Sequence, residues 1–231
     1  MDRTRTARSV PLGLTLLVAF FSALAALAVS NGHVAQAHDT EAHSDAGAAS
    51  VTRAELALRS DMRALWEDHI VWTRLAIISL TTESPDTGAT VARLLQNQAD
   101  IGDAVKPFYG KAAGNELTKQ LRGHILIAAD LVLAAKAGDS AKLADAQARW
   151  RANANDIAAV LTSVNPRWWK LAPLKQMLRE HLWLTTAEGV ARLEGDWDAD
   201  VDAYDAIHHH ALGMADALST GIVKQFPRRF R

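Results

Sequence analysis

Residues 53–82 read RAELALRSDMRALWEDHIVWTRLAIISLTT. In this stretch Leu58, Met62, Leu65, Trp72 and Ala76 recur at steps of three and four, and His69 fills the one gap in the series. That spacing lines up a single face of an α-helix. One amphipathic helix is therefore expected from Arg53 to Thr82, stopped by Ser84-Pro85-Asp86. Working outward, a shorter helix is expected over residues 87–105, ended by Lys106-Pro107 because the residue before proline avoids the helical region. A third runs over 115–137 with Leu117, Leu121, Ala128, Leu131 and Ala135 on one side. Gly138 supplies its stop, and Asp139 or Ser140 caps a fourth helix carrying Trp150, Ala154, Ile157 and Leu161. Asn165-Pro166 breaks that helix, and two more follow over 173–193 and 198–225, closed by Gly195 and Pro227.

No segment alternates with period two for long enough to form a strand. Short connections between long amphipathic helices imply antiparallel neighbours. The expected fold is all-α, an antiparallel helical bundle of about five long helices plus one shorter helix.

The chain has 231 residues, 49% of them hydrophobic and 22% charged, which is globular composition. Its 25 Lys and Arg against 26 Asp and Glu leave no basic excess to neutralise phosphates, so nucleic acid is not an expected partner. Cysteine is absent, which excludes disulfides, thiolate metal sites, iron–sulfur clusters and cysteine nucleophiles.

Arg3, Arg5 and Arg8 precede an apolar run from Leu12 to Val29, and Ala35-Gln36-Ala37 follows. This is the order of a secretory signal, so residues 1–37 are expected to be a signal peptide or, uncleaved, an N-terminal membrane anchor over residues 11–29. Either form makes the rest extracytoplasmic, periplasmic or secreted. Residues 38–52, HDTEAHSDAGAASVT, are small and polar and read as a flexible linker. The helical bundle domain is expected over 53–231.

Histidine is the chemically distinctive residue of that domain. His69, His124 and His181 each continue an apolar stripe, and each falls near the middle of its helix. In the last helix His208, His209 and His210 are adjacent. The mean direction of Val201, Tyr204, Ile207, Leu212, Met214, Leu218 and Ile222 turns His208 inward and leaves the other two solvated or at a flank, with Asp205 as a partner for His208. In an antiparallel bundle, mid-helix residues meet in one layer. Four buried imidazoles among Leu and Ala lack acceptors, and a transition metal ion (zinc, copper or iron) supplies the missing partner. Glu188, seven residues after His181, lies on the same face. The candidate metal ligands are thus His69, His124, His181, His208 and Glu188.

Two alternatives stand beside this one: a metal-free structural or interaction protein of the cell envelope, and a metal- or haem-dependent redox enzyme. No Glu-x-x-His pair or H-E-x-x-H motif is present, so di-iron oxygen chemistry and zinc hydrolysis are not expected. The stretch from Arg93 to Gly102, rich in amides, followed by Lys106-Pro107-Phe108-Tyr109-Gly110, reads as a helix terminus and turn.

Several stretches resemble an uncharacterised family of small bacterial helical proteins. They are Trp66-Glu67-Asp68-His69-Ile70-Val71-Trp72-Thr73-Arg74, the Arg93–Gly110 segment, Met177-Leu178-Arg179-Glu180-His181-Leu182, Met214-Ala215-Asp216, and Gly221-Ile222-Val223-Lys224-Gln225-Phe226-Pro227. The resemblance covers about residues 55–230 and implies an Ile-His pair at Ile207-His208. Some members carry glycosyltransferase-like names. This chain lacks the strand–helix alternation of a nucleotide-sugar fold, so those names imply no activity here.

The small-residue triplet ending at Ala37 predicts a mature N-terminus at His38. N-terminal sequencing of protein from the producing cells checks this, and Met1 or Asp2 on a membrane-bound form would point to the anchor instead.

Overall fold

A computed structural model describes residues 51–231; residues 1–37, expected to be a signal peptide or anchor, and nearly all of the expected linker lie outside the described residues. The described chain is all-helical, with five α-helices and a closing 3-10 turn. They are α1 (Arg53–Thr82), α2 (Thr87–Ala137), α3 (Ser140–Val164), α4 (Leu171–Glu194) and α5 (Trp197–Gln225), followed by Pro227–Phe230. Among the described residues no helix is long and apolar enough to cross a membrane.

The helix ends follow local chemistry. Thr52, Asp139 and Asp196 each accept a backbone N–H of the first turn of α1, α3 and α5. Gly138 and Gly195 take the left-handed conformation after α2 and α4, at φ 66° and 73°.

The expected break at Lys106-Pro107 is displaced. Pro107 lies inside α2, and the break falls three residues later, at Gly110, with φ 85° and ψ 167°. Only glycine takes that conformation without strain. The two expected helices are therefore the arms of one element, 87–109 and 111–137. They meet closely at Gly102 and Gly114. A Cβ on Gly102 would overlap Thr118 Oγ1 and stand 2.7 Å from Gly114 O, and one on Gly114 would stand 2.5 Å from Gly102 O. Backbone therefore touches backbone here, and no larger residue fits.

α1 packs on α2 and α5, α2 on α3, and α4 on α3 and α5. One continuous apolar core joins them, including Met62, Ile70, Ile101, Ile157, Leu178 and Met214. Near one end of it the buried Asn165 donates to Tyr109 Oη at 3.1 Å and Gly221 O at 3.0 Å, tying the α3–α4 corner to α2 and α5.

Gly102→Ala should destabilise the protein by about 1–3 kcal/mol through overpacking against backbone. Gly213→Ala, where a Cβ meets nothing within 4 Å, should be neutral or stabilising by up to about 1 kcal/mol. Urea unfolding of the two variants should separate them; similar midpoints would show that the arms of α2 do not touch at Gly102.

Candidate metal centre

His69 of α1, His124 of α2 and His181 of α4 are each 4% exposed, inside the apolar core. Their rings form one group around His181. The His181 ring centroid lies 5.8 Å from that of His69 and 6.0 Å from that of His124. The fourth member is His210 of α5, 6.2 Å from His181. Its Nε2 stands 3.1 Å from Met177 O, and Nδ1 stands 3.9 Å from Glu180 Oε1.

The expected fourth member, His208, is elsewhere. Its Nε2 stands 2.8 Å from both carboxylate oxygens of Glu67 on α1, and its side chain is 31% exposed. The reason is the rotation of α5. Val201 is exposed and Tyr204 only half-buried, so neither belongs to the inward face, and the direction expected from a set that includes them is rotated from it. The buried face is Ile207, Ala211, Met214, Ala215, Leu218 and Ile222. At ~100° per residue, His208 and His210 flank that face on opposite sides, about 70° and 90° from its centre. One flank meets Glu67 of α1 and the other meets α4. His209 is exposed, and Glu67 rather than Asp205 partners His208.

Glu188 is buried, as its stripe position implied, but the structure does not bring it to the imidazoles. Arg74 of α1 donates to it at 2.8 Å and to both oxygens of Asp200 at 3.0 Å, and Arg192 adds a 2.9 Å bond to Asp200. Glu188 and Asp200 are each 2% exposed, so the carboxylates of this four-residue ion network, which joins α1, α4 and α5, are buried, while Arg74 and Arg192 stay partly exposed. Burial lifts the Glu188 carboxyl to about 7 against the pull of Arg74. The pairing of Arg74 with Glu188 and Asp200 is not legible in the sequence, since an acid and a base on separate helices carry no spacing signal.

Amides support the imidazoles. Asn153 Nδ2 donates to Gln120 O and Oε1 at 3.1 and 3.2 Å, which orients the amide. Its Oδ1, 2.8 Å from His124 Nδ1, therefore accepts a proton from that nitrogen. Nε2 of His124 is left with the lone pair, the tautomer a metal ligand needs. Gln98 Nε2 lies 3.2 Å from His69 Nδ1. Asn97 and Gln98 are fully buried in the middle of an arm of α2 rather than at a helix end, contrary to the turn expected there.

Three of the imidazoles line a cavity of about 20 Å³, together with Trp66, Gln98 and Met214 among others. That is room for one water molecule or one ion. Three buried polar atoms of its lining residues, Trp66 Nε1, Gln98 Oε1 and His181 Nδ1, have no partner. Neutral imidazoles fit a first-row transition ion in chemistry. Their spacing is looser than a closed shell: with nitrogen–metal bonds of about 2.0–2.1 Å, two rings on a tetrahedral ion have centroids about 5 Å apart. As the side chains stand, no group of three or more His, Cys, Asp or Glu among the described residues is arranged to hold an ion.

No protein-family model, curated protein or solved structure matches the chain. The family resemblance of residues 55–230 therefore rests on the motifs themselves.

Burial holds all three core imidazoles neutral. It lowers His69 to about 3, with help from the His124 charge, and His124 to about 4 against its bond to Asn153. His181 is held well below the ordinary value by burial and by its three imidazole neighbours. Unfolded imidazoles take protons near pH 6.5, so below that pH the unfolded state binds more protons than the folded one. Stability present in full above about pH 6.5 is then lost progressively towards pH 4. Glu188 acts in the opposite sense, because a raised carboxyl favours the folded state as pH falls, but it is one group against three. The urea midpoint of chelator-treated protein should fall steadily from pH 7 to pH 5. A flat or rising midpoint would contradict burial of three neutral imidazoles.

Proposed function

We propose that this is an exported helical-bundle protein that binds one transition metal ion in the cavity among His69, His124 and His181, for binding, sensing or storage. In this reading the helices run as antiparallel neighbours, so that mid-helix residues meet in one layer. The observation that carries the reading is the unpartnered Nδ1 of His181, buried beside three other imidazoles and a cavity of one-ion size. A buried polar atom without a partner is costly, and an ion relieves that cost where the ring nitrogens are neutral. His210 stands beside His181 where His208 was expected, but its Nε2 is held by Met177 O and it lies outside the cavity lining. Glu188 is left out of the ligand set because Arg74 already holds it. Export rests on the Arg3–Ala37 pattern alone.

The ring spacing favours a second reading. A single ordered water in the same cavity would satisfy His181 without drawing the rings together, and the protein would then be a metal-free scaffold of the envelope. A cavity of about 20 Å³ has no room for a porphyrin.

Untagged protein purified without chelator should contain close to one equivalent of a first-row metal by elemental analysis. His181→Ala and His124→Ala should each remove most of it and lower thermal stability together, since an ion bound only to the folded state stabilises it. His209→Ala, at an exposed site, should change metal content little and stability by under about 0.5 kcal/mol. Metal-free wild-type protein that also takes up no zinc, copper or iron on dialysis would favour the scaffold.

A further inference from the structure

The two ends of the bundle differ in charge. Arg59 of α1 bonds to Thr220 of α5, Arg63 to Asp216, Glu67 stands against His208, and Arg74 reaches Asp200, so α1 counts up as α5 counts down. The start of α1 at Arg53 therefore lies beside the end of α5, where the Pro227–Phe230 turn packs on both helices. Two contacts bring further corners to this end. Asn165 donates to Tyr109 Oη at 3.1 Å, and Arg229 donates to Pro107 O at 2.7 Å. The Gly110 break of α2 and the α3–α4 corner are thus here as well.

This end is basic. Arg167 and Lys170 of the α3–α4 corner, Lys224 of α5, Arg228 and Arg229 of the closing turn, and Arg53 are all exposed. Lys111, next to Gly110, adds one more exposed cation. The acids Glu55 and Asp103 already hold partners, Arg59 and Lys106. At the opposite end the corners expose Glu83, Asp86, Glu194, Asp196 and Asp198. There Lys136 and Lys142 are taken up by Glu83 and Asp139.

Apolar groups stand among the cations of the basic end. Trp168 is 38% exposed, with Lys224 Nζ 5.0 Å and the Arg167 guanidinium 5.1 Å from its ring centre. Leu171, one turn along, is exposed, and so are Val51 and Leu56 at the start of α1. A tryptophan ring and aliphatic side chains suit the headgroup level of a bilayer, and the cations around them suit its phosphates. The chain also enters the bundle here, through Val51 and Thr52, and the expected export segment lies upstream of that point. A bilayer holding that segment as an anchor is tethered to the basic end, not to the acidic one.

We propose that this end of the bundle docks on an anionic phospholipid bilayer, with Trp168 and Leu171 at headgroup level and the surrounding lysines and arginines on lipid phosphates. The acidic end then points away from the membrane. The proposal shares no residue with the metal reading and does not depend on it.

The test is tryptophan quenching of the full chain by vesicles of phosphatidylcholine with brominated acyl chains, with and without about one-third phosphatidylglycerol. Quenching reports lipid contact at this end, so it serves a cleaved protein mixed with vesicles and an anchored one reconstituted into them. Quenching is expected with phosphatidylglycerol and should weaken at high salt, which screens exposed charge. It should largely disappear in Trp168→Phe and persist in Trp197→Phe, whose exposed indole lies at the acidic end. Reversing two exposed cations together, Lys170→Glu with Arg228→Glu, should weaken the lipid dependence at least about twenty-five-fold, about fivefold for each cation removed. No quenching that depends on phosphatidylglycerol, quenching unchanged by the double reversal, or quenching lost in Trp197→Phe instead of Trp168→Phe would overturn the proposal. Retention on dextran sulfate without lipid-dependent quenching would assign the face to an acidic polymer and overturn it equally.

Discussion

Imidazole has to be neutral to sit among leucines, and each ring then needs a donor or an acceptor that the core does not naturally supply. That requirement organises the centre of this protein. Asn153 turns one amide towards His124, and Gln98 lies against His69. Around these polar contacts Trp66 and Trp150 pack edge-on and tilted against the rings, which closes the layer off from water. His181 has neighbours on three sides that are themselves imidazoles, and its Nδ1 is left unpartnered, as are the indole nitrogens of Trp66 and Trp150.

A second polar assembly is solved differently. Arg74, Arg192, Glu188 and Asp200 satisfy one another with several charge-assisted bonds, and Arg74 also stacks 4.6 Å over the Tyr204 ring. Removing one member of such a network leaves buried charge uncompensated, which costs more than the intact network contributes. The two assemblies share helices α1, α4 and α5, and they divide the acids from the imidazoles. The division removes Glu188 from any ligand set and leaves nitrogen donors alone at the centre.

Much of this was legible in the chain. The 3.6-residue spacing of Leu58, Met62, Leu65, Trp72 and Ala76 marks α1 with both ends correct, and the turn signals at Gly138, Asp139 and Gly195 mark theirs. His69, His124 and His181 could be read as inward because each replaces an apolar residue at the centre of a stripe, where a modest error in helix rotation does not change the face. The inward face of α5 was less secure. His208 and His210 lie on its two flanks, and there the same error decides between α1 and α4 as the neighbour.

Local physics accounts for what the sequence alone determined: helix periodicity, caps, the buried character of three histidines, and the absence of cysteine chemistry. Tertiary structure decided the site, because its remaining features depend on partners distant in the chain. Glu188 meets Arg74 across 114 residues, and His208 meets Glu67 across 141. Gly110 turns α2 where Pro107 does not, since proline removes one hydrogen bond and its helix can still continue, while the left-handed backbone of Gly110 cannot be helical at all. Contacts of this kind leave no periodic trace in the sequence, and only packed helices bring them into being.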